Sequence, residues 1–253
     1  MKLIHNYKSP NFNDRNYSNI ELIVIHYTAL SSISKSINYL CSPKNKVSSH
    51  YLISNKGYIY NLVSDKKRAW HAGQSYWRGD KDINSISIGI ELDYFPSYKN
   101  KKFPNTLISS LLFLLKKLME RYKILPENVL GHSDIAPYRK IDPGKNFPWQ
   151  ILEEQYFSYK IKKLKNKKKN ISIILKWNIE NKFKSNKLKI LFMMKHIGYD
   201  TSLAMKNKLN FNKLIDAYCN HHRYYKNYTY NKKKIFNVIE LHFFNLLLTN
   251  LNK

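Results

Sequence analysis

Glycine is scarce, at 7 of 253 residues, and cysteine scarcer still, at 2. Cys41 and Cys219 lie far apart in the chain and read as free thiols, which excludes a disulfide scaffold. No apolar run reaches the roughly 18 residues that a membrane-crossing helix needs, so no transmembrane segment is expected. Carboxylates are few: 17 Asp and Glu stand against 44 Lys and Arg, a formal charge of +27. The HExxH pattern of one large class of zinc hydrolases is absent.

A surplus of cations invites a polyanionic partner. Here the basic residues are spread through the chain, no nucleic-acid recognition motif accompanies them, and the abundance of Lys, Asn, Ile and Tyr is what AT-rich codons would give. No nucleic-acid partner is therefore expected. Hydrophobic residues make up 43%, an ordinary globular share that supports a real core at this length.

Periodicity divides the chain. Glu21–Tyr27 (ELIVIHY) is a short β-branched run, the mark of a buried strand. Ser31–Leu40 has helical spacing. His50–Ile53 and Tyr58–Val63 flank a turn in which Gly57 supplies positive φ. Ser85–Leu92 (SISIGIEL) alternates polar and apolar residues and ends on a carboxylate. Thr106–Tyr122 reads as a helix stopped before Pro126, and Val129–Gly131 as a further strand. Strands separated by helices predict an α/β fold, a mixed β-sheet flanked by helices, over residues 1–155. Residues 156–184 hold the lysine run IKKLKNKKKN and read as a basic linker or solvated helix face. Residues 185–253 lack strand alternation, and helical segments near Leu188–Ile197, Lys208–His221 and Lys232–Leu248 predict a small all-α unit. The charge is +11 up to residue 150 and +16 beyond it.

Three segments place polar residues at the ends of apolar strands: His26 in IVIHYT, Glu91 in SIGIELD, and the loop GHSDIAPYRKIDPG, which holds His132, Arg139, Lys140 and Asp142. Two histidines and a carboxylate make a workable catalytic zinc set with a fourth position open. A carboxylate outside the ligand set can serve as general base. Taken singly, each has a bland reading: His26 as a satisfied core histidine, Glu91 as a salt-bridged strand end, Asp142 as the start of a turn at Pro143.

In combination they resemble a known family. IVIHYTA, VSSHYLIS, RAWHAGQSYWRG, SIGIEL, LPENVLGHSDIAPYRKIDPG and FPW follow one another as in the zinc-dependent N-acetylmuramoyl-L-alanine amidases of type 2, whose fold is shared with peptidoglycan recognition proteins and the T7-type lysozyme amidase. The likeness is greatest to the AmiD type, in which a small helical peptidoglycan-binding-like domain follows; LFMMKHIGYD looks like its start. The resemblance implies one Zn2+ held by His26, His132 and Asp142, Glu91 taking a proton from the attacking water, and Lys140 stabilising the oxyanion. It implies hydrolysis of the bond between N-acetylmuramic acid and L-alanine of peptidoglycan or muropeptides in cell-wall turnover or recycling. It also favours Trp70, His71, Tyr76, Trp77 and Arg78 as a wall of the substrate groove, with Arg139 a further partner for stem-peptide carboxylates. His50 is expected to be structural, and His221 and His222 to be surface or core fillers. The rival class is a non-catalytic peptidoglycan-binding module. The AmiD type carries an export signal and lipid anchor, neither of which is present here as written. A cytoplasmic, monomeric protein is the resulting expectation, with periplasm or outer membrane should the start be truncated.

Overall fold

The computed structural model describes residues 2–17, 19–96, 102–164, 168–222 and 232–251. The strands are β1 (Leu3–Ile4), β2 (Phe12–Asp14), β3 (Leu22–Tyr27), β4 (Tyr51–Ile53), β5 (Ile59–Asn61), β6 (Lys67–Ala69), β7 (Ser87–Leu92) and β8 (Val129–Gly131). The helices of the sheet region are α1 (Ile33–Cys41), α2 (Ile83–Ile86), α3 (Asn105–Tyr122), α4 (His132–Ile135) and α5 (Trp149–Glu154). Those beyond it are α6 (Lys168–Glu180), α7 (Asn186–Ile197), α8 (Ser202–Lys206), α9 (Lys208–His221) and α10 (Lys232–Asn250). No helix among the described residues is long and apolar enough to cross a membrane.

Six strands form one sheet in the order β1-β5-β4-β7-β3-β8, and β2 pairs with β6 beside it. The centre, β4-β7-β3-β8, is parallel, while the hairpin β4-β5 is antiparallel, so the sheet is mixed as expected. Gly57 turns that hairpin at φ 84°. In β3 and β7 the period-2 alternation sorts side chains between the two faces. Ile23, Ile25, Ile88, Ile90 and Leu92 join a core with Leu107, Leu111, Leu114, Leu115 and Leu118 of α3. On the opposite face, Leu22, Val24 and His26 stand in register with Ser87, Gly89 and Glu91. On that face Leu22 and Val24 join a second apolar cluster, while His26, Ser87 and Glu91 belong to the site and its support.

The C-terminal helices do not stand apart from the sheet. Leu22, Val24 and Leu130 share one buried apolar cluster with Met193 and Met194 of α7, Leu214 and Tyr218 of α9, and Ile239 and Phe244 of α10. The stretch read from sequence as a linker contains α6, and Ser158 and Ile161 within it are buried. α7 is capped by Ser185, whose side chain accepts from the Leu188 amide, and α9 in the same way by Asn207.

Candidate active site

His26 is the penultimate residue of β3, and His132 opens α4 directly after β8, the strand that pairs with β3. Asp142 returns from the following loop, where its carbonyl accepts from the Ser133 amide and pins the loop ends together. The three side chains are buried. His26 Nδ1 and His132 Nδ1 lie 2.9 Å apart, and each lies near Asp142 Oδ2, at 3.2 and 3.1 Å respectively.

The opposite ring nitrogens show which atoms are free. His132 Nε2 lies 3.1 Å from the Ala72 carbonyl, which can only accept, so the proton of the neutral ring is on Nε2 and Nδ1 carries a lone pair. His26 Nε2 lies 3.0 Å from His71 Nδ1. Burial, then the His132 ring, pushes His26 down to about 4, so it is neutral at pH 7. Two bare nitrogens and a carboxylate oxygen thus converge, an arrangement that repels itself without a cation between them. Their spacing is close to the edge of a tetrahedron, about 3.3–3.4 Å for ligands at zinc distances. Among the described residues these three form the one group of His, Cys, Asp or Glu able to hold a metal ion. The donor set and its geometry fit zinc.

Glu91 is the Cα partner of His26 across the strand pair. Its Oε2 is buried without a hydrogen-bond partner. Burial, reinforced by Asp142 and opposed by Lys140, pushes its carboxyl up to about 8. Such a group is poised to take and return a proton near neutral pH. Lys140 is half-buried two residues before Asp142, and its charge acts on both His26 and Glu91.

The residues expected to wall the groove divide. Trp70 is half-buried, with Nε1 donating to Asn13 Oδ1. Trp77 and Arg78 both face the C-terminal helices. Trp77 is 3% exposed, with its ring edge-on to Tyr199 and against Gly198, and Arg78 donates from Nε to the Ile197 carbonyl. His71 is buried behind His26. Arg139 donates to the carbonyls of Ala72 and Gln74, bracing the loop that also binds His132. His50 is structural as expected: its Nδ1 accepts from the Gly89 amide and its Nε2 donates to the Lys67 carbonyl.

Sequence reasoning missed a buried polar seam behind α4. Asp134 is fully buried; its Oδ2 accepts from the Gly131 amide and pairs with His221 Nδ1 at 2.7 Å, and its Oδ1 accepts from the Tyr199 hydroxyl at 2.6 Å. The His221 ring is sandwiched between Trp149 and His222. No local pattern announces this contact, since Asp134 and His221 are 87 positions apart.

The sheet carries a histidine–histidine–carboxylate centre at the ends of its parallel strands with the buried Glu91 Oε2 beside it, an arrangement suited to metal-assisted hydrolysis. Residues 16–145 match the family model Amidase_2, N-acetylmuramoyl-L-alanine amidase, and the chain belongs to that family. It is 43% identical over 152 residues to the N-acetylmuramoyl-L-alanine amidase AmiD of Escherichia coli (strain K12), a match covering 55% of this chain and 54% of that protein. The chain thus spans about half the length of that relative. It is 36% identical over 162 residues to the 1,6-anhydro-N-acetylmuramyl-L-alanine amidase AmpD of Haemophilus influenzae, covering 56% of this chain and 86% of the relative. Among solved structures, E. coli AmiD in complex with anhydro-N-acetylmuramic acid-L-Ala-D-gamma-Glu-L-Lys superposes with a TM-score of 0.69 at 31% identity, over 89% of each chain. AMPDH3 of Pseudomonas aeruginosa with an anhydromuramic pentapeptide gives 0.72 at 27% identity, over 92% of this chain and 94% of that one. Both superpositions include the C-terminal helices.

Proposed function

We propose that the chain hydrolyses the amide bond between N-acetylmuramic acid and L-alanine in peptidoglycan fragments, serving cell-wall turnover or recycling. The observation that carries this reading is the convergence of His26 Nδ1, His132 Nδ1 and Asp142 Oδ2 beside the unpartnered Glu91 carboxylate, in a chain of this family. His26, His132 and Asp142 would hold one zinc ion, which when bound supplies Lewis acidity toward water and the scissile carbonyl. Glu91 takes the proton of the attacking water and passes it to the leaving amine of L-alanine. Its raised pKa suits both transfers. Lys140 faces the oxygen that becomes negative as the carbonyl turns tetrahedral. Arg139, braced on the 72–74 loop, holds His132 in place. The C-terminal helices buttress the site through the Asp134 seam.

A binding module without chemistry would need neither Glu91 nor Lys140 beside the ligand set, and their presence favours catalysis. The test is to incubate purified protein with anhydro- and reducing muropeptides, with and without chelator, and to weigh the products. Release of free stem peptide, abolished by chelator and by Glu91→Gln while zinc stays bound, is the expected result. Tight muropeptide binding with no cleavage by zinc-loaded protein would establish the binding module instead.

A further inference from the structure

A chain of hydrogen bonds behind His26 ends on an atom that leaves no freedom in its direction. Ser87 Oγ sits 2.5 Å from the Ile83 carbonyl and 3.1 Å from His71 Nε2. The carbonyl only accepts, so the single hydroxyl proton of Ser87 goes to it, and Ser87 Oγ must accept from His71. His71 therefore carries its proton on Nε2 and presents a bare Nδ1 to His26, 3.0 Å away. His26 must then carry its proton on Nε2, which bares Nδ1, the atom that faces His132 and Asp142. All three side chains are buried, so water cannot relax any link. The sheet makes room for the relay at one place. A Cβ at Gly89 would overlap the His71 ring, and Gly89 lies between Ser87 and Glu91 on the same face of β7.

We propose that His71 and Ser87 are positioning residues that lock the tautomer of His26 and so set the metal affinity of the centre; this rests on the zinc reading above. The relay is uncharged along its length, where a ligand histidine more commonly leans on a carboxylate or a backbone carbonyl. It fixes ring orientation without drawing His26 toward an imidazolate, and so leaves the metal more electron-poor.

The experiment uses full-length protein labelled with ¹⁵N-histidine, wild type, Ser87→Ala and Ser87→Thr. Ring nitrogen shifts of the metal-free protein are read alongside zinc affinity by chelator competition and the melting temperature. In metal-free wild type, His26 and His71 should both be Nε2–H tautomers. Ser87→Ala should weaken zinc binding by about 10–100-fold, the usual scale for losing support of a metal ligand. Ser87→Thr, which restores the hydroxyl, should recover most of it. His26 protonated on Nδ1 in metal-free wild type would overturn the relay, and that reading needs no variant to fold. Undiminished zinc affinity in Ser87→Ala, or a loss that threonine does not recover, would overturn it as well. Wild-type protein that binds no zinc would sink the metal reading instead, while the tautomers still decide the relay.

Discussion

Replacing His221 by alanine tests whether the sheet and the C-terminal helices form one cooperative unit. Asp134 is fully buried and would keep only the Gly131 amide and the Tyr199 hydroxyl. Taking a hydrogen-bond partner from a buried carboxyl leaves it under-satisfied, and with the packing of a buried ring lost as well the cost is about 3–5 kcal/mol. The ring's loss also opens a gap between Trp149 and His222, which face it on either side. At about 2–4 °C per kcal/mol for a chain of this size, the melting temperature should fall by roughly 6–20 °C. Thermal and urea unfolding, each followed by tryptophan fluorescence and far-ultraviolet circular dichroism, should give one coincident transition in both proteins. Zinc affinity should fall too, because Asp134 holds the Gly131 amide at the start of the helix that carries His132. Tyr199→Phe should cost less, about 1.5–3 kcal/mol for one hydrogen bond to a charged acceptor. A loss below about 1 kcal/mol for His221→Ala would refute the estimate built on the buried pair. Two separated transitions, one for the sheet and one for the helices, would refute the single unit.

Lys140→Ala should lower kcat by about 10²–10³-fold with little change in KM, since an oxyanion donor acts mainly in the transition state; unchanged kcat with raised KM would make Lys140 a binding residue. Acid should destabilise the fold. Burial holds His50 and His242 near 3 in the folded chain, while both titrate near 6.5 when unfolded. The unfolded state therefore binds more protons below pH 6.5, and stability present above that pH is lost as pH falls toward 3. Each residue should cost about 2 kcal/mol at pH 5, so urea midpoints measured from pH 7 to pH 5 should drop and those of His242→Phe should drop less. Gly89→Ala should destabilise by about 1–3 kcal/mol through overpacking and weaken zinc binding by displacing His71; a variant with wild-type affinity would show that His71 has room to spare.

The site was legible in the sequence to the extent that its chemistry is local. Glu91 and its row-mates on β7 follow from the alternation in SIGIEL, and His26 from a polar residue closing an apolar strand. His132 and Asp142 stand in one loop whose ends must meet, and the ordered resemblance supplied the rest. Trp77 and Arg78 show the limit. An aromatic residue beside an arginine is the same string whether it lines a groove or packs on another element, and only tertiary structure shows Gly198 admitting the indole. The relay was half visible: Ser87 and Gly89 share the face of Glu91, but His71 reaches them from a loop with no periodicity. The helical segments of the tail were readable from their spacing. Their docking was not, because the partners of Asp134 lie 65 and 87 positions downstream.

The seam behind α4 bears on how such chains can be recombined. A domain joined by a flexible tether can be traded between relatives as a cassette, because nothing on either side depends on its new neighbour. Here the carboxylate is on one side of the junction and the imidazole and phenol that satisfy it are on the other, so a foreign helical unit lacking both would strand a charge beneath the histidine that opens α4. The two halves of this chain must therefore be inherited together or changed together, and an engineer who wishes to replace the helices has to begin by substituting Asp134.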